Sequence, residues 1–365
     1  MKRVLLLIIW VFPCFCLSGA EDGKILNFIY CSDLHYGLER EFRGKEVPSD
    51  SVCREMFRTF RMLCTTSLPE DGGVGADEIF GMPDFVVCTG DIANRMEEGV
   101  QSASVSWSSF LQDWDSCGLN VPLYLVPGNH DISNAIGYPE RLSPERDAAS
   151  AAGIYNLAPD GKAGDVSPGT FDYVRHKTRY SFVRDSIRFV FMGMWPDAPM
   201  REWFRKETAG DGGISSIIFT HDPPEADAKH FTNPCGNHGI NSRDRFENLL
   251  ADTCTVRSVG MEPVENWRVL EDFIRSNPEI KAYFHGDKNY NEFYVWHGPG
   301  ESIALPVFRV DSPMKGEYSS LDETLLSFIV VSIDPEKHLL TARECLWNSS
   351  SRTGIRWGET RTVEL

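Results

Sequence analysis

Five apolar runs in this chain, each the length of a β-strand, stop at a cluster of Asp, Asn or His. Leu26 to Cys31 runs into Ser32-Asp33-Leu34-His35, and Phe85 to Cys88 into Thr89-Gly90-Asp91. Leu123 to Val126 runs into Pro127-Gly128-Asn129-His130-Asp131, and Ile214 to Phe219 into Thr220-His221-Asp222. Ile280 to Phe284 runs into His285-Gly286-Asp287-Lys288-Asn289. Between them, apolar residues recur at helical spacing. Val52, Met56, Phe60 and Leu63 follow a cap at Asp50-Ser51, Trp107, Phe110, Leu111 and Trp114 mark a second helix, and Trp267, Leu270 and Phe273-Ile274 a third. Ligands of open α/β sheets bind beyond the carboxyl ends of the strands, so five polar clusters at five strand ends can converge on one place.

The remaining chain is organised around this alternation. Ser133 to Lys177 and Pro223 to Met261 are rich in polar and turn residues and read as insertions near the mouth of a site. Tyr180 to Val183 and Ile187 to Met194 read as a hairpin. Phe293 to Trp296, Val307 to Val310, Leu326 to Ile333 and Leu339 to Leu346 are further strands with little helical pattern between them. The expected organisation is a leader over residues 1–20, one domain over 21–347 with insertions near 133–177 and 223–261, and a tail over 348–365.

The clusters carry ligand chemistry. Asp33 and His35 are two residues apart and share one face of an extended segment, so a carboxylate and an imidazole reach one ion. Gly90 lets the chain turn sharply before Asp91, whose two oxygens can bridge two cations. Asn129 offers an amide oxygen, His130 beside it a proton donor, and His221 a ring nitrogen. Oxygen and nitrogen donors spread in this way suit a site for two metal ions.

In order, Asp33-Leu34-His35, Gly90-Asp91-Ile92-Ala93-Asn94, Gly128-Asn129-His130-Asp131 and His221 resemble the D-x-H, G-D-x-x-D/N, G-N-H-D/E and H motifs of the calcineurin-like metallophosphoesterase superfamily. The resemblance spans about residues 26 to 290. It implies an α/β fold, a four-layer α/β/β/α sandwich with two mixed β-sheets, and two divalent ions (Mn, Fe, Zn or Mg) at the strand ends. It implies that Asp33 and His35 hold the first ion, that Asp91 bridges both, and that Asn129 and His221 hold the second. His130 would assist the leaving group, with Asp131 orienting its ring, and a metal-bound hydroxide would attack a phosphate ester. Asn94 stands where purple acid phosphatases carry a tyrosine ligand.

The last motif departs from the pattern. The family's G-H-x-H would place histidines where Asp287 and Asn289 stand. Asp287 can serve the second ion and Asn289 the first, or His285 can enter from a shifted register. More oxygen and less nitrogen favours harder ions such as Mn²⁺ or Mg²⁺ over Zn²⁺. The same departure motivates a reading of another class, a catalytically weak metal- or ligand-binding protein on this fold.

Charge and targeting bound the setting. Lys2 and Arg3, the apolar run Val4 to Leu17, and Ser18-Gly19-Ala20 before Glu21 form a secretory leader with a small-residue cleavage site. No later stretch is long and apolar enough to span a membrane, so a secreted or periplasmic protein without stable membrane insertion is expected. Without residues 1–20 the balance is 34 Lys and Arg against 53 Asp and Glu, a formal net charge of −19. That disfavours general binding to nucleic acid or anionic membrane, yet admits a phosphate substrate because bound cations invert the local field. Of the eight cysteines that remain, Cys31 and Cys88 read as small core residues. Cys53 and Cys64 are too far apart along one helix to bridge, and Cys235 with Cys254 is the best candidate disulfide.

Overall fold

Aromatic side chains on the buried strands decide how this chain packs. The structure, a computed structural model, describes residues 24–95, 99–136, 146–159, 165–233, 248–254, 261–349 and 354–365. The order begins β1 (Leu26–Cys31), β2 (Glu39–Phe42), β3 (Lys45–Pro48), α1 (Ser49–Leu63), β4 (Phe85–Cys88), α2 (Ala103–Cys117), β5 (Leu123–Leu125), α3 (Asn129–Ile136) and α4 (Ala149–Asn156). It continues β6 (Arg179–Arg184), β7 (Ile187–Met192), α5 (Ala198–Glu207), β8 (Ser215–Phe219), β9 (Phe231–Thr232), β10 (Leu250–Thr253) and α6 (Val264–Ser276). It ends with β11 (Ile280–His285), β12 (Glu292–Trp296), β13 (Leu305–Arg309), β14 (Ser327–Asp334), β15 (Leu339–Leu346) and β16 (Arg356–Glu364).

Two six-stranded mixed sheets form, in the orders β16-β15-β14-β1-β4-β5 and β12-β13-β11-β8-β7-β6. Their facing sides meet through rings: Phe28 lies 5.8 Å from Phe219 and 6.0 Å from Phe284, and Phe85 lies 5.2 Å from Phe189. Each such side chain contributes about 1.5–3 kcal/mol by leaving water. Helix α1 covers the outer face of the first sheet, with Phe60 edge-on to Phe328 at 4.7 Å. Helices α5 and α6 meet over the second sheet, Phe204 to Phe273 at 5.4 Å, above Ile218, Tyr283 and Val307. The result is the expected α/β/β/α sandwich.

Strand register brings the polar clusters together. Cys31 pairs with Cys88 and Cys88 with Leu125 in parallel strands, so Asp33, Asp91 and Asn129 all lie just beyond neighbouring strand ends. Phe219 pairs with Phe284, which sets His221 beside Asp287 on the other sheet.

Three segments differ from expectation. The 133–177 insertion contains helix α4, whose buried Ala151, Ala152 and Ile154 are too uniformly small or apolar to give a helical period. Helix α5 carries few apolar residues, but Asp197 caps it by accepting from Met200 N and Pro199 sits in its first turn. Residues 348–365, expected as a tail, supply β16, which pairs antiparallel with β15 from Leu339 opposite Glu364 to Leu346 opposite Arg356. As an edge strand, mostly exposed, β16 lacks the apolar alternation that betrays a half-buried one. The leader, Cys235 and the 234–247 part of the second insertion lie outside the described residues. Among the described residues no helix is long and apolar enough to cross a membrane.

Candidate metal centre

The turns after the strands are held in a conformation that most side chains avoid. Asp33, His35, Asp91, Asp287 and Asn289 have φ of 57°, 45°, 51°, 64° and 57°. Non-glycine residues seldom adopt left-handed backbone, and such strain concentrates at functional sites. Backbone bonds lock these turns: Asp33 N donates to Gly90 O at 2.9 Å, His35 N to Asp91 O at 2.8 Å, and Gly286 N to His221 O at 3.0 Å. Gly128 and Gly286 are required by close approach. A Cβ on Gly128 would collide with Asp91 Oδ1, and one on Gly286 with Asp33 Oδ2 and Ser32 Oγ.

Two ligand groups share Asp91. In the first, His35 Nε2 lies 3.8 Å from Asp33 Oδ1 and 3.8 Å from Asp91 Oδ2. Both ring nitrogens of His35, with Asp33 Oδ1 and Asn289 Oδ1, are buried and have no hydrogen-bond partner among the described residues. Asn289 sits beside the His35 ring, as does Asn94. In the second group, His221 Nε2 lies 2.9 Å from Asn129 Oδ1, 3.6 Å from Asp91 Oδ1 and 3.9 Å from Asp287 Oδ1. His221 Nδ1 is 2.8 Å from Thr89 O, so it carries a proton and donates there. Nε2 then faces three oxygen acceptors at once, an arrangement that a ring proton or a shared cation satisfies. Buried acceptors without partners, grouped in this way, fit two metal ions.

The electrostatics agree. Burial opposes charge on His221, yet the carboxylates of Asp91, Asp33, Asp287 and Asp222 overcome it and raise its pKa to about 10. Burial pushes Asp91 well above the usual carboxylate range, with Asp33 and Asp131 adding to it and His221 and Lys315 opposing. Burial also works to raise Asp287, but Lys288 and His221 hold it well below that range. The field at this place is one that attracts cations.

His130 stands at the rim. Its side chain is 12% exposed, whereas those of His35 and His221 are 1% and 0% exposed. Its backbone N donates to Asp91 Oδ1 at 2.8 Å, and its Nδ1 accepts from Arg95 N at 2.7 Å. That acceptor role places the ring proton on Nε2, which faces Asp91 Oδ2 at 3.6 Å, while the ammonium of Lys315, itself a donor, stands 3.3 Å from the same nitrogen. Burial, Lys315 and His35 push its pKa well below the ordinary imidazole value.

Two expectations are corrected. Asp131 does not orient the His130 ring. Its oxygens accept from Ala93 N at 3.1 Å, Ile92 N at 3.2 Å and Gly128 N at 3.1 Å, so it ties two ligand turns together, and Arg95 N sets the ring. His285 joins neither ligand group. Its Nδ1 is 2.9 Å from Gly286 O and its Nε2 3.3 Å from Tyr294 OH, while burial and then Arg309 hold its pKa down to about 3. Lys288, beside Asp287, bonds Asp227 Oδ1 at 3.0 Å and approaches Asp287 Oδ2 at 3.2 Å, so it balances the charge of Asp287.

Lys315 escaped the sequence reading. It sits in a turn 26 residues beyond Asn289, with no motif around it. The fold delivers it: Ser312 Oγ donates to Asp33 O at 2.7 Å, and Arg40 clamps Pro313 O and Ser319 O at 2.7 Å each.

No curated protein sequence matches the chain. Among solved structures, a dimetal phosphatase from Danio rerio is similar with TM-score 0.52 and 11% identity, over 93% of this chain and 98% of that one. A calcineurin-like phosphoesterase from Bacillus subtilis has TM-score 0.32 and 9% identity, over 94% and 91% of the two chains. Vacuolar Protein Sorting 29 from Cryptosporidium parvum has TM-score 0.33 and 10% identity, over 94% and 99%. At these identities the Danio rerio structure bears on the fold alone. The calcineurin-like phosphoesterase family profile matches residues 26–288, from the first residue of β1 into the altered last motif. With its strand-end turns, shared Asp91 and sandwich fold, the chain belongs to the calcineurin-like phosphoesterase family.

Proposed function

We propose that this protein is a phosphoric ester hydrolase, acting on a phosphate mono- or diester with two divalent ions, in a secreted or periplasmic setting. The observation that carries this reading is the position of Asp91, whose Oδ2 lies 3.8 Å from His35 Nε2 and whose Oδ1 lies 3.6 Å from His221 Nε2. The family match supports ester hydrolysis. The dimetal character of the Danio rerio phosphatase supports a pair of ions. The location rests on the leader pattern of residues 1–20.

Asp33, His35, Asp91 and Asn289 would hold one ion, and Asp91, Asn129, His221 and Asp287 the other. When bound, such ions supply Lewis acidity and draw a nucleophile from water near neutral pH. The chain's own residues do the rest. His130 holds a proton at Nε2, facing the ester, and hydrogen-bonds the charge that develops on the leaving oxygen. Lys315 places an ammonium beside that nitrogen, where it takes a non-bridging phosphate oxygen. Thr89 O and Arg95 N fix the His221 and His130 tautomers, and Asp131 keeps the turns in register.

The test is hydrolysis of aryl phosphate mono- and diesters by Mn²⁺-loaded protein, compared with Asp91→Asn. Turnover lost in the variant is the expected result. Wild-type rates in the variant contradict the two-ion site, and full metal occupancy without turnover on any ester favours the binding protein that Asp287 and Asn289 suggest.

A further inference from the structure

Next to His221 stands a buried pair that has no part in the proposed hydrolysis. Asp222 and His230 are both 0% exposed. Asp222 Oδ2 is 2.8 Å from His230 Nδ1. Asp222 Oδ1 and His230 Nε2 have no hydrogen-bond partner among the described residues. A buried carboxylate with one satisfied oxygen and one bare oxygen is costly unless something electropositive meets the bare one.

The surroundings say what meets it. His221, Asp222 and Asp287 each place one ligand atom within 4.8 Å of the others. Two carboxylates at that spacing in a buried place repel, and a cation between them or a proton on one of them relieves the repulsion. The backbone fixes Asp222 firmly: its N donates to Met194 O at 2.7 Å, and Tyr283 OH donates to its carbonyl at 2.9 Å. His230 closes a short turn, Ala228–His230, and its carbonyl accepts from Leu249 N at 2.8 Å.

We infer that Asp222 is a further ligand of the second divalent ion, joining His221 and Asp287, with His230 holding its carboxylate in place. The inference rests on the two-ion reading and adds to it. Asp222 adds a donor beside Asp287, which stands where the family's last motif carries an imidazole. With Asp91, Asn129, Asp287 and Asp222 the second ion meets four residues that offer oxygen and one, His221, that offers nitrogen. Such a set selects a hard cation of the Mn²⁺ or Mg²⁺ class over Zn²⁺. A hydrogen-bonded partner behind a ligating carboxylate orients it and tunes its basicity, which is the role left for His230.

The experiment is a titration of chelator-stripped full chain with Mn²⁺, read by the electron paramagnetic resonance of free and bound ion, so that it does not depend on turnover. Wild type is expected to bind two equivalents. Asp222→Asn is expected to weaken one equivalent about 10–100-fold and leave the other unchanged, and His230→Gln to weaken the same equivalent about 10-fold. A matched Zn²⁺ titration of Asp222→Asn should show its preference for Mn²⁺ over Zn²⁺ reduced. Wild-type dissociation constants for both equivalents in Asp222→Asn and in His230→Gln overturn the inference while leaving the two-ion reading intact. Fewer than two equivalents in wild type overturn both. Near-ultraviolet circular dichroism identifies a variant that has not folded, in which case the other variant decides.

Discussion

Replacing Asp91 by Asn should stabilise the protein in chelator and destabilise it in metal. Asp91 is 2% exposed. Its Oδ1 accepts from His130 N at 2.8 Å, a bond an amide oxygen can keep, while its Oδ2 faces His35 and His130 at 3.8 Å and 3.6 Å. Burial raises its carboxyl well above the usual range even with His221 beside it. A carboxyl whose folded pKa lies above its unfolded value costs stability at every pH above that unfolded value, so near neutrality the wild type carries a penalty that Asn removes. The gain is on the order of 1–3 kcal/mol, the scale of burying a polar group that lacks a compensating partner. At roughly 2 °C per kcal/mol for a chain of this size, Tm in chelator rises by about 2–6 °C.

Metal reverses the order. Two sites, each at about 100 times its Kd, stabilise the wild type by about 2.7 kcal/mol apiece, so about 5 kcal/mol and ~10 °C. Asn at the shared position weakens both ions. A loss of about 100-fold at each would leave roughly 1 kcal/mol of that gain. Melting curves in chelator and in Mn²⁺, with aryl phosphate hydrolysis on the same samples, give the answer. The expected pattern is Asp91→Asn above wild type in chelator, below it in Mn²⁺, and at least about 10²–10³-fold slower. A variant that melts below wild type in chelator, or that keeps the full Mn²⁺ shift, refutes the reasoning.

His130→Gln should keep two bound Mn²⁺ and lose about 10²–10⁴-fold in kcat, more for alkyl than for nitrophenyl esters, because a poor leaving group depends more on the proton at Nε2; equal losses on both would remove that role. Lys315→Ala should raise KM for a phosphate ester about 10-fold, with Lys315→Arg restoring part of it, and an unchanged KM would show that the ammonium does not meet the substrate. Burial pushes Asp311, whose Oδ2 has no hydrogen-bond partner among the described residues, up to about 8. Its folded pKa thus exceeds an unfolded value near 4, so wild type loses stability as pH climbs from about 4 to about 8, by roughly 5 kcal/mol at most. Asp311→Asn should therefore gain Tm over wild type progressively between pH 5 and pH 8, and a constant difference across that range would contradict the assignment.

Much of the site was legible because each ligand comes directly after a strand that reads clearly. Apolar runs such as Phe85–Cys88 and Ile280–His285 announce strands, and parallel register then sets the turns at their carboxyl ends side by side. Asp33, His35, Asp91, Asn129, His221 and Asp287 met in this way. His285 could not be placed from sequence, because whether a residue at a strand end turns to the site or away depends on the twist of β11 and on Tyr294 across the sheet. Asp131 looked like a catalytic neighbour by adjacency alone. Only three dimensions reveal that the backbone amides of Ile92, Ala93 and Gly128 consume its oxygens. Lys315 and His230 are placed by loop anchors that leave no periodic trace. Strand β16 was missed for a related reason, since an edge strand does not need a buried face.

The central claim is that Asp91 joins two ions. Anomalous scattering from Mn²⁺-soaked crystals tests it most directly. The account predicts two peaks. One lies among Asp33, His35, Asp91 and Asn289, the other among Asp91, Asn129, His221 and Asp287, and both lie within bonding distance of Asp91. A single peak, or two peaks that do not share Asp91, would contradict it.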